Sequence, residues 1–353
     1  MALRRRIGQV LLEAAPAGGG DAVLTPANRI YFSESWTGSG VLETIYGPFG
    51  VAEFLAGEPP IDSDLREQER DFLQWIGVAA HPRILNPTFE HSTTYSTTNL
   101  DRHPHAQALG ERWEDWWELT SVKSASRCEQ SHTASQQLQH SYILDRFVEI
   151  ASTDDSLRLQ TLWSELARNW GHQYEFATES VFYCRHQSHR GERTRKTTSL
   201  FAHLLSELSW VPAWVANERT LVRPSDAWRL APDTPRWVAR RVAVLPADLS
   251  EGPGAALALA LGVTDAARPS PSDLVGLLKA LRDEYESAVE NPANIDKAAK
   301  WAMRTLNDVL FGDHGESLED VPLLARFQDE QIFTADPAVA SDPLLRDSWK
   351  DHL

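Results

Sequence analysis

One short pattern of aromatic and glycine residues occurs twice in this chain. Arg29-Ile-Tyr-Phe-Ser-Glu-Ser-Trp36 is followed by Trp75-Ile-Gly-Val78 and then His81-Pro-Arg83. Arg219-Thr-Leu-Val-Arg-Pro-Ser-Asp-Ala-Trp228 is followed by Leu261-Gly-Val263 and then Arg268-Pro269. Each copy reads as a strand-like entry, a corner with Ser, an acid and Trp, a helix, and a Gly-Val exit. Gly77 and Gly262 suit the end of a helix, where the backbone turns to positive φ. Trp36 and Trp228 fall at equivalent corners in this alignment. Ser341-Asp-Pro-Leu-Leu-Arg-Asp-Ser-Trp349 is a fainter third echo. Such a repeat predicts a body of similar modules rather than one continuous core.

The chain has 353 residues, enough for two or three domains at about 150 residues each. Thirteen Trp are spread from Trp36 to Trp349, which argues for large packed cores and against disorder. The net charge of −16 favours solubility and disfavours a protein wrapped in nucleic acid. No run of about 18 apolar residues predicts a membrane span. Arg4-Arg-Arg6 before Ile7 resembles the start of an export signal, but Gln9 and Glu13 interrupt the apolar stretch. Two Cys, at 128 and 184, make no disulfide framework, so a cytoplasmic location is expected.

Helical periodicity is the strongest local signal. Leu159, Leu162, Trp163, Leu166 and Trp170 share one helix face, behind Asp154-Asp-Ser156 and before Gly171. Leu274, Leu277, Leu278, Leu281 and Tyr285 repeat the spacing behind Ser270-Pro271. Further helices are predicted at 294–310, 65–76, 137–151 and 199–209. Strands are predicted at 29–32, 240–245 and within 174–185. The stretch 86–108, rich in Asn, Thr, Ser, Pro and His, reads as a surface loop. The predicted fold is α+β and helix-dominated, with repeat-like modules of helices and short strands or hairpins at their junctions. The predicted divisions are 1–110 (a first Gly-Val module with a loop-rich end), 111–209 (a helical block with a basic hairpin near 180–197) and 210–353 (a second module with C-terminal helices).

Ser199-Leu-Phe-Ala-His-Leu-Leu-Ser-Glu-Leu-Ser-Trp-Val-Pro212 is a helix followed by Trp, an apolar residue and Pro. Pro224-Ser-Asp-Ala-Trp228, Leu261-Gly-Val263, Asp273 to Leu281, Val321 to Arg326 and Ser341 to Leu345 follow it in order. This series resembles the body of very large sacsin-like proteins that carry an Hsp90-type ATPase domain. The resemblance spans residues 137–353, with a thinner echo at 28–85. Its motifs are short and structural. In that family the nucleotide site is marked by a helical Asn, an Asp-x-Gly-x-Gly turn and a Gly-rich lid, a set not found here. The resemblance therefore implies a non-ATPase body: a scaffold or interaction region whose protein partner is an ATPase domain, in cis or in trans. Bacterial anti-phage defence is the implied setting.

The residues carry three other chemical possibilities. Cys184, His186 and His189, with Cys128 and His132, could hold zinc in a metal-dependent hydrolase or nuclease, although the paired Cys-x-x-Cys knuckle is absent. The alternative is a polar strand end. Arg185, Arg190, Arg193, Arg195 and Lys196, beside Phe182 and Tyr183, form a basic strip that could hold phosphates in a nucleic-acid-binding module. The alternative is a solvated hairpin, diluted by Glu192. His103 and His105, with Asp101 and His91, read as a surface loop rather than a metal site. Trp113, Trp116 and Trp117 share a helix face, and a core face is favoured over a partner surface. No Gly-x-Ser-x-Gly, Walker A or His-Glu-x-x-His pattern is present, so no catalytic residue, cofactor-binding residue or metal ligand is assigned.

Overall fold

The structure is a computed structural model, and it describes residues 9–51, 53–86, 95–96, 104–128, 131–135, 137–138, 140–184, 193–286, 297–305, 323–327 and 330–334. These residues form an α+β fold dominated by helices, with small sheets between them. They divide into two compact units. The first holds residues 1–211 and 251–261, the second 212–250 and 262–353.

The first unit opens with the hairpin β1 (Leu11–Ala15) and β2 (Val23–Pro26). The short helices α1 (Glu34–Thr37) and α2 (Val41–Tyr46), the strand β3 (Phe54–Leu55) and the helix α3 (Ser63–Ile76) follow. Asp62 caps α3, accepting from the amides of Asp64 and Leu65. Gly77, at φ +118°, ends it, and the amide of Val78 bonds back to Leu73. Then come β4 (Ile84–Leu85), β5 (Tyr95–Ser96), α4 (Pro104–Leu109), α5 (Glu111–Glu118) and α6 (Thr120–Ser126). The strands β6 (Arg127–Cys128), β7 (Ser131–Ser135), β8 (Gln137–Leu138) and β9 (Ile143–Leu144) lead to α7 (Phe147–Ala151) and α8 (Ser156–Asn169). The hairpin β10 (Glu179–Cys184) and β11 (Arg193–Thr198) and the helix α9 (Leu200–Glu207) complete this run.

The predicted helix over 137–151 is absent. Its first half is two short strands: Leu138 pairs with Phe182 and Tyr95, and Leu144 pairs with Ile84. Partners distant in sequence override the local helical spacing, and only α7 remains of it. The helix α8 behaves as its periodicity predicts. Leu159, Leu162, Trp163 and Leu166 are buried, as are Arg158, Glu165 and Ala167. Burial on more than one face fits its position, packed on both α2 and a later helix, α12 (Pro253–Ala260). The rings of Trp163 and Phe147 pack on Trp210 at 5.4 and 5.3 Å. The Trp210 indole N–H donates to the Leu205 carbonyl.

The second unit is built on β12 (Val211–Val215) and β13 (Glu218–Val222), joined by Ala216 and Asn217 at positive φ. Two such residues make the hairpin turn whose twist matches the strands. The strand β14 (Ala227–Arg229), the helix α10 (Arg236–Arg241), the strand β15 (Ala243–Val244) and the helix α11 (Ala247–Ser250) follow. After α12, which is counted with the first unit, come β16 (Thr264–Asp265) and α13 (Pro271–Glu286). The helical segment 297–305, α14, and the hairpin β17 (Leu323–Phe327) and β18 (Glu330–Thr334) complete the described chain. The core of this unit gathers Trp228, Trp237, Val238 and Val242 with Leu274, Leu278 and Leu281 of α13 and Ala299 and Met303 of α14.

The repeat seen in the sequence is a repeat of topology. In the second unit the strand order is β13-β12-β15-β14-β16. There Trp214 pairs antiparallel with Val244, Val244 parallel with Trp228, and Trp228 parallel with Thr264. In the first unit the order is β2-β1-β3, and Tyr31 continues it with single parallel bridges to Phe54 and to Ala79. Ala15 pairs antiparallel with Phe54. The row Ala15, Phe54, Tyr31, Ala79 thus matches the row Trp214, Val244, Trp228, Thr264. The same backbone bond recurs: the Leu55 amide donates to the Tyr31 carbonyl, and the Leu245 amide to the Trp228 carbonyl. A single helical turn precedes each central strand, Ala27–Arg29 in one copy and Pro224–Asp226 in the other.

This register corrects the alignment read from sequence. Trp228 matches Tyr31, not Trp36. Trp36 lies beyond the strand in α1, buried with Phe32 in the module's own core. The glycine match is the sound part: Gly77 and Gly262 each stand two residues before the last strand position.

Candidate functional site

Residues along a strand point alternately to opposite faces, and the central strand of the first module shows the consequence. Ile30 and Phe32 enter an apolar core with Ala14, Leu55, Leu73, Ile76 and Val78. Tyr31 points the other way, into a buried polar set built from four distant segments. Its ring stacks on Tyr46, with centroids 4.4 Å apart. Its hydroxyl donates to Asp145 Oδ2 at 2.7 Å. The Arg83 guanidinium lies 4.5 Å above the Tyr31 ring, donates to the Ile30 carbonyl at 2.8 Å and stands 3.9 Å from Asp145. Tyr46 donates to the Asp145 carbonyl at 3.4 Å.

Next to Asp145, Arg146 adopts φ +52°, a left-handed conformation that costs a non-glycine residue about 1–2 kcal/mol. Its ion pair with Glu53 and its position 5.0 Å over the Phe49 ring hold it there. Burial raises the Glu53 carboxyl above its ordinary range, and Arg146 opposes that. Glu53 Oε2 is buried with no hydrogen-bond partner among the described residues. A second buried carboxylate, Glu165 of α8, gathers His81 Nδ1 at 2.8 Å, Arg168 at 3.0 Å and Asn169 at 2.8 Å. Tyr174 donates to the Pro82 carbonyl at 3.1 Å. The segment 81–83, directly after the module's last strand position, is thereby fixed from both sides.

Both phenols are held well above their ordinary titration by burial, so neither is poised as a nucleophile or base. The set's chemistry is static: paired charges and satisfied donors that tie segments 53, 83 and 145 to the module.

A second feature lies on the outer side of α3. Leu73 and Ile76 are buried, but Ile61, Leu65, Phe72 and Trp75 are exposed, with Phe72 and Trp75 at 56 and 52%. At 100° per residue Leu65, Phe72 and Trp75 fall within about 80° of one another around α3, Ile61 precedes the helix, and the Phe72 and Trp75 rings are 6.1 Å apart.

The Trp cluster is a core face: Trp113 and Trp116 are buried, and the Trp116 indole donates to the Thr198 carbonyl at 2.9 Å. His105 is not on a surface loop. It sits in α4, buried, with its ring nitrogen 3.1 Å from the Ser141 carbonyl, and burial pulls its pKa down to about 4. Cys184 ends β10, and Cys128 and His132 fall on β6 and β7. His186 and His189 lie outside the described residues, as do His91, Asp101 and His103. Among the described residues no three His, Cys, Asp or Glu side chains converge on a metal site. Of the basic strip, Arg193, Arg195 and Lys196 stand on β11, while Arg185 and Arg190 lie outside the described residues. Lys196 pairs with Glu179, and Arg195 donates to the Ser124 carbonyl at 2.9 Å. No described helix is long and apolar enough to cross a membrane.

The polar set around Asp145 escaped sequence reading because Glu53, Arg83 and Asp145 are separated by 30 to 92 residues. The exposed apolar residues of α3 lie in a helix the sequence predicts, but their exposure is not marked there. Against protein-family models, curated proteins and solved structures, the chain matches none.

Proposed function

We propose that this chain is a non-enzymatic interaction body, a scaffold that works with a sacsin-like, Hsp90-type ATPase domain in the cytoplasm of a bacterium, in the setting of anti-phage defence. The observation that carries the reading is the duplicated module. Two copies share one strand order and one register, and each has an apolar cluster of its own. Modules of this kind extend a surface and present it, as repeat proteins do. The static polar set around Asp145 supports the same reading, since it braces segments instead of exposing reactive groups. The family link rests on the series of short motifs from Ser199 to Leu345.

The test is binding and turnover. The purified full chain is titrated into the Hsp90-type ATPase domain of a sacsin-like protein, and both complex formation and ATP hydrolysis are followed. Saturable binding that changes the ATPase rate is expected, with no hydrolysis by the chain alone. Absence of binding would overturn the partner. Stoichiometric zinc with phosphodiester cleavage would replace the scaffold by the metal-dependent hydrolase of Cys184, His186 and His189. Tight, salt-dependent nucleic-acid binding lost on neutralising Arg190, Arg193 and Arg195 would replace it by the nucleic-acid module.

A further inference from the structure

One helix belongs to different units by chain path and by packing. The helix α12 runs between β15 and β16, both strands of the second unit's sheet, yet residues 251–261 are part of the first unit. Its seat is apolar. Leu257, Ala258 and Leu261 are buried, Leu257 fully so, and α12 packs on α8. Pro, Gly, Ala and Leu make up the whole of α12, so no side-chain hydrogen bond or ion pair holds it. Fit alone fixes its place, and a close-packed seat responds to the loss of a few methyl groups.

The link onward is short. Only Gly262 and Val263 separate Leu261 from Thr264, the first residue of β16. β16 is an edge strand, and its own hold on the sheet is slight. It has two register positions on β14, Trp228 with Thr264 and Arg229 with Asp265, and the Arg229–Asp265 ion pair at 2.5 Å. The Thr264 hydroxyl adds a long bond, 3.4 Å, to Asp273. A strand with so few contacts opens readily unless its neighbours restrain it. The same α8 reaches the matching place in the first module, where Glu165 holds His81, two residues after Ala79.

We infer that α12 is a strap: seated on α8, it holds β16 in the second unit's sheet, and when it leaves α8 that edge strand opens. The state of α8 is thereby passed to one edge of the second unit's sheet and not to its centre. The inference rests on chain path and burial, and no ATPase partner enters it.

The test is residue-resolved amide exchange on the full chain under native conditions. The Ala266 amide, directly after β16, donates to the Arg229 carbonyl, and the Leu245 amide donates to the Trp228 carbonyl within the sheet. Leu257→Ala loosens the seat of α12 and is expected to speed exchange at Ala266 at least about tenfold, with Leu245 unchanged. Leu73→Ala, the same truncation in the first module's own core, is expected to change neither. Leu257→Val gives the same pattern on a smaller scale and decides the matter where Leu257→Ala does not fold. Unchanged exchange at Ala266 in the Leu257 variants overturns the strap. Equal acceleration at Ala266 and Leu245 also overturns it, because the whole sheet would then be loosened. So does acceleration of Ala266 by Leu73→Ala, which would make the effect a general loss of stability.

Discussion

Removing the Asp145 carboxylate should unfold the first unit selectively, and the effect can be apportioned. Tyr31 is wholly buried and its hydroxyl donates to Asp145 at 2.7 Å. A hydrogen bond to a charged acceptor contributes about 1.5–3 kcal/mol. Tyr31→Phe deletes that bond but keeps the ring stack on Tyr46 and the ring beneath Arg83, so about 1–2 kcal/mol is expected. Asp145→Ala deletes the same bond, strands the buried hydroxyl and leaves Arg83 without its carboxylate. Both charged side chains retain some solvent, at 15 and 18% exposure, so the cost falls near the low end for a broken buried pair, about 3 kcal/mol. The double variant should cost less than the sum, with a coupling of about 1–2 kcal/mol, since the shared bond can be lost only once. The assay is urea denaturation followed by circular dichroism, with the transitions of the two units fitted separately. Additive losses, agreeing within the roughly 0.3–0.5 kcal/mol seen for independent sites, would refute the network. So would an equal shift of both transitions.

Other expectations follow from single sites. Gly77→Ala places a Cβ 3.2 Å from the Asn28 backbone at φ +118°, whereas Gly262→Ala meets nothing within 4 Å at φ +78°. The first should therefore cost more than the roughly 1–2 kcal/mol of left-handed strain expected for the second, in thermal or urea melts. Trp163→Ala removes a buried indole from contact with Trp210 and should cost about 3–5 kcal/mol by the same melts. Burial lowers the His105 pKa from 6.5 to about 4, against a hydrogen bond to the Ser141 carbonyl that raises it. The unfolded chain then binds the extra proton first, so this stability is complete above about pH 6.5 and is lost as pH falls toward 4. His105→Gln should flatten the pH dependence of unfolding in that window.

The parts of the fold legible in sequence were those governed by local rules. The helices α8 and α13 announced themselves through apolar spacing and capping residues, because each buries a row of leucines at helical spacing. The Gly-Val ends marked the repeat for the same reason: a backbone at positive φ selects glycine locally. What failed depended on distant partners. Tyr31 makes only single bridges to Phe54 and Ala79, and two residues of β3 or β15 carry no readable alternation. With no readable strand to fix the register, the sequence pattern aligns Trp36 with Trp228, where the sheet aligns Tyr31. Leu138 and Leu144 looked helical until Phe182 and Ile84 paired with them. The candidate sites divided the same way. The helix carrying Phe72 and Trp75 was predicted, though not their exposure, whereas nothing in the neighbourhood of Glu53, Arg83 or Asp145 announces that they meet.

The scaffold reading depends on the two modules being one structure in duplicate. Amide hydrogen exchange measured residue by residue tests that directly. The duplication predicts matched protection at the bonds that cross the central strands. The amides of Leu55 and Leu245, which donate to the Tyr31 and Trp228 carbonyls, should both exchange slowly. The amides of Ala79 and Ala266, bonded to the Ile30 and Arg229 carbonyls, lie on the last strand crossing of each module, two register positions apart, and should exchange slowly as well. Protection at Leu245 and Ala266 with free exchange at Leu55 and Ala79 would contradict the account, because the first module would then lack the sheet that makes it a copy of the second.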